Sequence, residues 1–133
     1  MPIHIRGDAL RGDMTTRTVI SGSVTLDQGN IHVEAESMTI DWSKDEVQKI
    51  TATGAPARFT RSITEGKSAI DAHARSIIYD RELNQIELQG TALLRQGGNL
   101  FRGEIILYGI AAGTVTADSS ASGGVELIWQ PRQ

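Results

Sequence analysis

The chain has 133 residues and a formal net charge of −3, from 13 Lys and Arg against 16 Asp and Glu, with no cysteine. That length suits a single domain over residues 1–133 with a core that needs no staples, and the missing thiols exclude disulfides, zinc ribbons and cysteine chemistry. The basic residues are scattered rather than clustered, so no footprint for nucleic acid is present. No stretch approaches the roughly 20 apolar residues of a membrane-spanning helix. The start, Met1-Pro2-Ile3-His4-Ile5, has no basic segment followed by an apolar one, as expected of a cytosolic chain or a mature exported form. With 39% hydrophobic residues but only two each of Phe, Tyr and Trp, the interior must be built mostly from Ile, Leu, Val, Ala and Met.

Strand signals run nearly end to end, at 3–6, 18–26, 31–40, 47–53, 57–62, 77–80, 85–88, 91–95, 100–108, 113–117 and 125–129. Turn residues separate them, as in Asp27-Gln28-Gly29-Asn30 and in 41–45, 80–84 and 96–99. This spacing predicts an antiparallel sandwich or roll. Pro2, Pro56 and Pro131 fall outside the predicted strand interiors, as a residue without a backbone donor should. One segment is ambiguous, because Ile70, Ala74, Ile77 and Ile78 within 69–80 also stand at helical spacing. The small-residue run 119–124 reads as a loop.

A pattern occurs twice. Gly22-Ser23-Val24-Thr25-Leu26-Asp27-Gln28-Gly29, leading to Ala35-Glu36-Ser37-Met38-Thr39-Ile40, matches Gly90-Thr91-Ala92-Leu93-Leu94-Arg95-Gln96-Gly97, leading to Gly103-Glu104-Ile105-Ile106-Leu107-Tyr108. Each copy reads as strand, Gln-Gly turn, strand. The matched pairs Val24/Ala92, Leu26/Leu94, Val33/Phe101, Met38/Ile106 and Ile40/Tyr108 form an apolar face, with Thr25, Glu34, Glu36 and Thr39 opposite.

Other candidate signals have ordinary explanations. Arg6-Gly7-Asp8 and Arg11-Gly12-Asp13 spell an adhesion tripeptide, but Gly-Asp is a favoured turn pair. His4, His32 and His73 lack the spacing and carboxylate company of a metal site. Glu34 and Glu36 share the polar face, where solvated charge suffices to explain them. No nucleophile elbow, phosphate loop or dinucleotide fingerprint occurs, so nothing points to an enzyme, a metal or a cofactor. Both termini read as strands free of internal proline or lysine, and open edges of that kind are templates for strand addition. The edge residues are Ile3, His4, Ile5 and Arg6 at one end, and Val125, Glu126, Leu127, Ile128 and Trp129 at the other.

Laid out in this way, the chain resembles the LptA/OstA family of periplasmic lipopolysaccharide transport proteins. The resemblance is carried by Pro2-Ile3-His4-Ile5, Asp13-Met14, the 22–29 block and Ala35-Glu36-Ser37-Met38. It continues through Gly54-Ala55-Pro56-Ala57-Arg58-Phe59, Ala72-His73-Ala74 with Tyr79, Gly90-Thr91-Ala92-Leu93-Leu94 and 103–108. It implies an all-β, antiparallel, twisted and partly open β-jelly roll, with 69–80 as strand. It further implies a periplasmic carrier that holds the lipid A acyl chains of lipopolysaccharide inside. Its partners would be copies of itself stacked head to tail, an LptC-like inner-membrane domain and an LptD-like outer-membrane domain. Mapped residue by residue, the lipid-facing set is Ile3, Ile5, Val24, Leu26, Val33, Met38, Ile40, Phe59, Tyr79, Leu94, Phe101, Ile106 and Tyr108. The alternative is a non-enzymatic structural or adhesive all-β module whose apolar face is a closed core.

Overall fold

The computed structural model describes residues 2–62, 69–118 and 124–129. Ten strands make one antiparallel sheet: β1 (His4–Arg6), β2 (Ala9–Gly12), β3 (Arg17–Gln28), β4 (Ile31–Ser43), β5 (Glu46–Arg61), β6 (Ile70–Asp80), β7 (Gln85–Gln96), β8 (Asn99–Gly109), β9 (Val115–Asp118) and β10 (Glu126–Ile128). The order is β1-β3-β4-β5-β6-β7-β8-β10, with β2 also on β3 and β9 also on β8. Among the described residues the two ends of the sheet do not pair, so the sheet is a partly open jelly roll rather than a closed barrel.

What turns one sheet into a two-layered body is a line of β-bulges. The register shifts between Ser21 and Val24 in β3, between Glu34 and Ser37 in β4, between Thr53 and Ala57 in β5, between His73 and Ser76 in β6, and between Gln89 and Ala92 in β7. These shifts lie side by side across the sheet. A bulge bends its strand and increases the local twist, so a row of them makes a crease. One leaf holds residues 24–28, 31–34, 57–61, 70–73, 92–96 and 99–103; the other holds 17–21, 37–43, 46–53, 76–80, 85–89 and 105–109. The short strands divide likewise, β1 and β10 edging the first leaf and β2 and β9 the second.

The repeated motif builds this crease. Gly22 and Gly90 both stand at φ 85°, followed by Ser23 at 47° and Thr91 at 48°, while Gly29 and Gly97 both turn at 59°. Gly-Ser and Gly-Thr insert two residues each, so the inward parity of β3 and β7 survives the bend: Ile20, Val24 and Leu26 are buried, as are Ile86, Leu88, Ala92 and Leu94. In β4, β5 and β6 the parity flips instead. Val33 and Ala35 give way to Met38 and Ile40, Ala52 to Ala57 and Phe59, and Ile70, Ala72 and Ala74 to Ile77. All these residues join one hydrophobic core between the leaves.

The structure corrects several readings of the sequence. Pro56 lies inside β5, at bulge residues 54–56, which have no ladder partner; a missing N–H therefore costs no pairing there. The separately predicted strands 47–53 and 57–62 are one strand through that bulge, and 85–88 and 91–95 are likewise both β7. Residues 70–80 are strand despite their helical spacing, because the parity flip at Ala74-Arg75 moves the inward set from Ala74 to Ile77 and mimics a helical stripe. β2 had no sequence signal, its four residues being exposed. Within the expected terminal strand 125–129, only β10 pairs. The loop 119–124, apart from Gly124, and Pro131 lie outside the described residues.

Candidate functional site: an apolar cavity between the leaves

The two leaves leave a cavity of about 430 Å³ between their inner faces. From the first leaf come Leu26, Gln28, Ile31, Val33, Phe59 and Arg61, joined by Ile3 ahead of β1. The facing leaf supplies Val47, Ile50, Ala52, Ile77, Tyr79, Ile86 and Tyr108, and beyond its strand ends Arg81, Asn84 and Ile110. Aliphatic and aromatic side chains therefore make most of the wall, with a few polar groups set into it. That composition and volume match a site for a largely apolar small molecule, for which about 300–1,000 Å³ is usual.

All thirteen residues expected to face lipid lie on the inner side or at its margin, but they divide into two groups. Ile3, Leu26, Val33, Phe59, Tyr79 and Tyr108 line the cavity. Val24, Met38, Ile40, Leu94 and Ile106 are buried in the packed core behind it, and Ile5 and Phe101 are half-buried against that core. Ile3 is 43% exposed, at the rim. Thr25, Glu34, Glu36 and Thr39 are on the outer face, with both glutamates exposed.

The sequence reading missed Ile31, Val47, Ile50, Ile77, Ile86 and Ile110 as wall residues, although most sit in strands it identified. For Ile50 and Ile77 the facing is legible only once the parity flips are known. It also missed Arg61, for which a signal exists: Ala57, Phe59 and Arg61 alternate inward after the bulge.

At the cavity, Arg61 is buried, with its Nη2 donating to the Tyr108 hydroxyl on the facing leaf at 3.4 Å. Arg81 is at the margin and pairs with Glu46, Nη1 to Oε2 at 2.6 Å. The remaining titratable features are on the outside. His32 Nδ1 lies 2.6 Å from Asp27 Oδ1 and Nε2 lies 3.2 Å from Glu34 Oε1. Its pKa is raised, first by the Asp27 hydrogen bond and then by that to Glu34. The two Arg-Gly-Asp tripeptides serve local structure. Asp8 N donates to the carbonyl oxygens of Ser21 and Gly22 between β1 and β2. Asp13 Oδ1 accepts from the Thr15 hydroxyl at 2.7 Å, Thr16 N at 2.7 Å and Thr15 N at 2.8 Å, and these bonds, the hydroxyl's foremost, hold its carboxyl well below the usual range.

The edges of the sheet are the second candidate surface. Within the described residues, β1 and β2 pair only with β3, and β9 and β10 only with β8, which leaves one side of each unpaired. In β10 and beside it stand exposed apolar residues, Val125, Leu127, Ile128 and Trp129, the last 66% exposed.

Comparison with known proteins agrees with this fold. The family described as LptA/(LptD N-terminal domain) LPS transport protein matches residues 4–114. The lipopolysaccharide export system protein LptH of Pseudomonas aeruginosa is 26% identical over 141 residues, spanning 99% of this chain and 81% of that protein. The crystal structure of LptH, the LptA-homologous periplasmic component of the lipopolysaccharide transport device of P. aeruginosa, superposes with a TM-score of 0.87 at 25% identity. That match covers 98% of this chain and 96% of that one.

Proposed function

Because the chain belongs to the LptA/(LptD N-terminal domain) LPS transport protein family, we propose that it is a periplasmic carrier of lipopolysaccharide, a bridge that performs no covalent step. The acyl chains of lipid A lie between the two leaves, and the polysaccharide stays in water. The observation that carries this reading is the cavity of about 430 Å³, walled from both leaves by Leu, Ile, Val, Phe and Tyr side chains. Each acyl CH₂ taken out of water gains about 0.8 kcal/mol, so a lipid crossing the periplasm needs a continuous apolar path rather than a catalytic group.

The edges supply the other half of the function. An edge strand whose N–H and C=O groups face outward accepts another strand by backbone pairing, and neighbouring apolar side chains give that pairing specificity. β1 with Ile3, His4, Ile5 and Arg6, and β10 with the flanking Val125 and Trp129, are the surfaces through which copies stack head to tail. The same surfaces meet an LptC-like domain on the inner-membrane side and an LptD-like domain on the outer-membrane side. Directed movement then comes from an ATP-driven inner-membrane complex.

The test is photo-crosslinking of purified lipopolysaccharide to folded protein carrying the crosslinker at Phe59, on the cavity wall, or at Thr25, on the outer face. Capture at Phe59 alone is the expected result. Capture at neither, with the fold intact, would replace the carrier with a closed-core interaction module.

A further inference from the structure

The cavity wall has a charge character that an acyl-chain site does not require. Among its described lining residues two, Arg61 and Arg81, are cations and none is an acid, in a chain whose net charge is −3. Arg81 is half-exposed and held by Glu46. Arg61 is 8% exposed, ends β5, and faces inward two residues after Phe59. Its cross-strand neighbours are Ile31 and Ile70, and its guanidinium reaches across the gap to the Tyr108 hydroxyl.

Bringing a guanidinium into an apolar cavity carries a desolvation cost, which a leucine or methionine at the same place would avoid. The guanidinium fork matches a phosphate through two parallel hydrogen bonds, and a tyrosine hydroxyl can donate a further one to the same anion. The methylenes of the arginine can meanwhile lie along the aliphatic wall.

Resting on the carrier reading above, we propose that Arg61, with the Tyr108 hydroxyl beside it, binds the phosphate of an amphiphilic lipid whose hydrocarbon runs along Phe59, Val33 and Leu26. The cavity then selects phosphorylated lipids and fixes how they enter. Arg61 is a specificity-determining residue, and the apolar wall supplies affinity for any chain.

Calorimetric titration of the full chain with dodecyl phosphate, dodecyl maltoside and inorganic phosphate, all below micelle formation, separates these contributions. A charge-assisted hydrogen-bond pair predicts that dodecyl phosphate binds about tenfold or more tighter than dodecyl maltoside. Arg61→Gln should abolish that preference, with far-ultraviolet circular dichroism reporting the intact fold. Arg61→Lys should retain part of the preference, and Tyr108→Phe should lower it. Inorganic phosphate alone should bind far more weakly than dodecyl phosphate.

Equal affinities for the two amphiphiles in the wild type, or a preference that survives Arg61→Gln, would overturn the proposal and leave the carrier reading standing. Inorganic phosphate binding as tightly as dodecyl phosphate would overturn the lipid assignment in favour of a simple anion site. Absence of binding by both amphiphiles would bring down the carrier reading and this proposal together.

Discussion

The crease can be tested through its two matched glycines. Gly22 and Gly90 share φ 85°, so alanine at either position meets the same backbone penalty, about 1–2 kcal/mol for an L-residue on the left-handed side. Their surroundings differ. A Cβ on Gly22 would stand 2.4 Å from Asp8 Oδ2 and 2.7 Å from Asp8 Cβ, whereas one on Gly90 would stand 3.0 Å or more from Arg75 side-chain atoms. Asp8 has little room to withdraw, since its N–H is bound to Ser21 O at 2.8 Å and Gly22 O at 3.1 Å. Overpacking of that kind adds about 1–3 kcal/mol. Gly22→Ala should therefore cost roughly 2–5 kcal/mol and Gly90→Ala about 1–2 kcal/mol. Urea unfolding followed by far-ultraviolet circular dichroism reads both. Adding Asp8→Gly should recover the excess in Gly22→Ala and leave Gly90→Ala unaffected. Equal losses at the two sites, or no recovery in the double variant, would refute the claim that the clash with Asp8 distinguishes the two halves of the repeat.

Three further outcomes are expected. Leu88 and Ile106 are fully buried and line no part of the cavity, so Leu88→Ala or Ile106→Ala should lower stability by about 2–5 kcal/mol. Lipopolysaccharide affinity per folded molecule should stay near wild type in these variants, and selective loss of binding would contradict the division between wall and core. The raised pKa of His32 means that its bonds to Asp27 and Glu34 stabilise the fold fully below the ordinary histidine value of about 6.5 and cease to do so as pH rises through the raised value. The Tm difference between wild type and His32→Gln should shrink from pH 6 to pH 9, by a small amount because the ring is 40% exposed; a difference that grows would reverse the sign. Adjacent residues of β1 aim their N–H groups to opposite sides, so of Ile5→Pro and Arg6→Pro, one breaks the ladder to β3 and the other removes only an outward donor. The outward variant should keep its Tm yet sediment as smaller species than wild type. An unchanged mass distribution would count against stacking through this edge.

Much of the inner face was legible in the residues because the physics involved is local. Alternating aliphatic side chains identify strands, and the matched Gly-Ser and Gly-Thr blocks, each followed by a Gln-Gly turn, identify two equivalent hairpins. Those signals sufficed to place Val24, Leu26, Met38, Ile40, Leu94 and Ile106 inside. Arg61 was passed over because a charged residue at a strand end reads as solvated until the strand is seen to turn inward after Pro56.

What sequence determined by itself is the strand content and which side chains prefer to leave water, since both depend on each residue and its near neighbours. Only the tertiary structure decided which buried residues line a space and which fill one. Met38 and Phe59 are both apolar and both inward, yet one is packed solid at 0% exposure and the other faces the cavity. That difference comes from the crease: five bulges on five strands must align across the sheet for the leaves to face each other. Their alignment is a property of register between distant segments, which no single strand encodes.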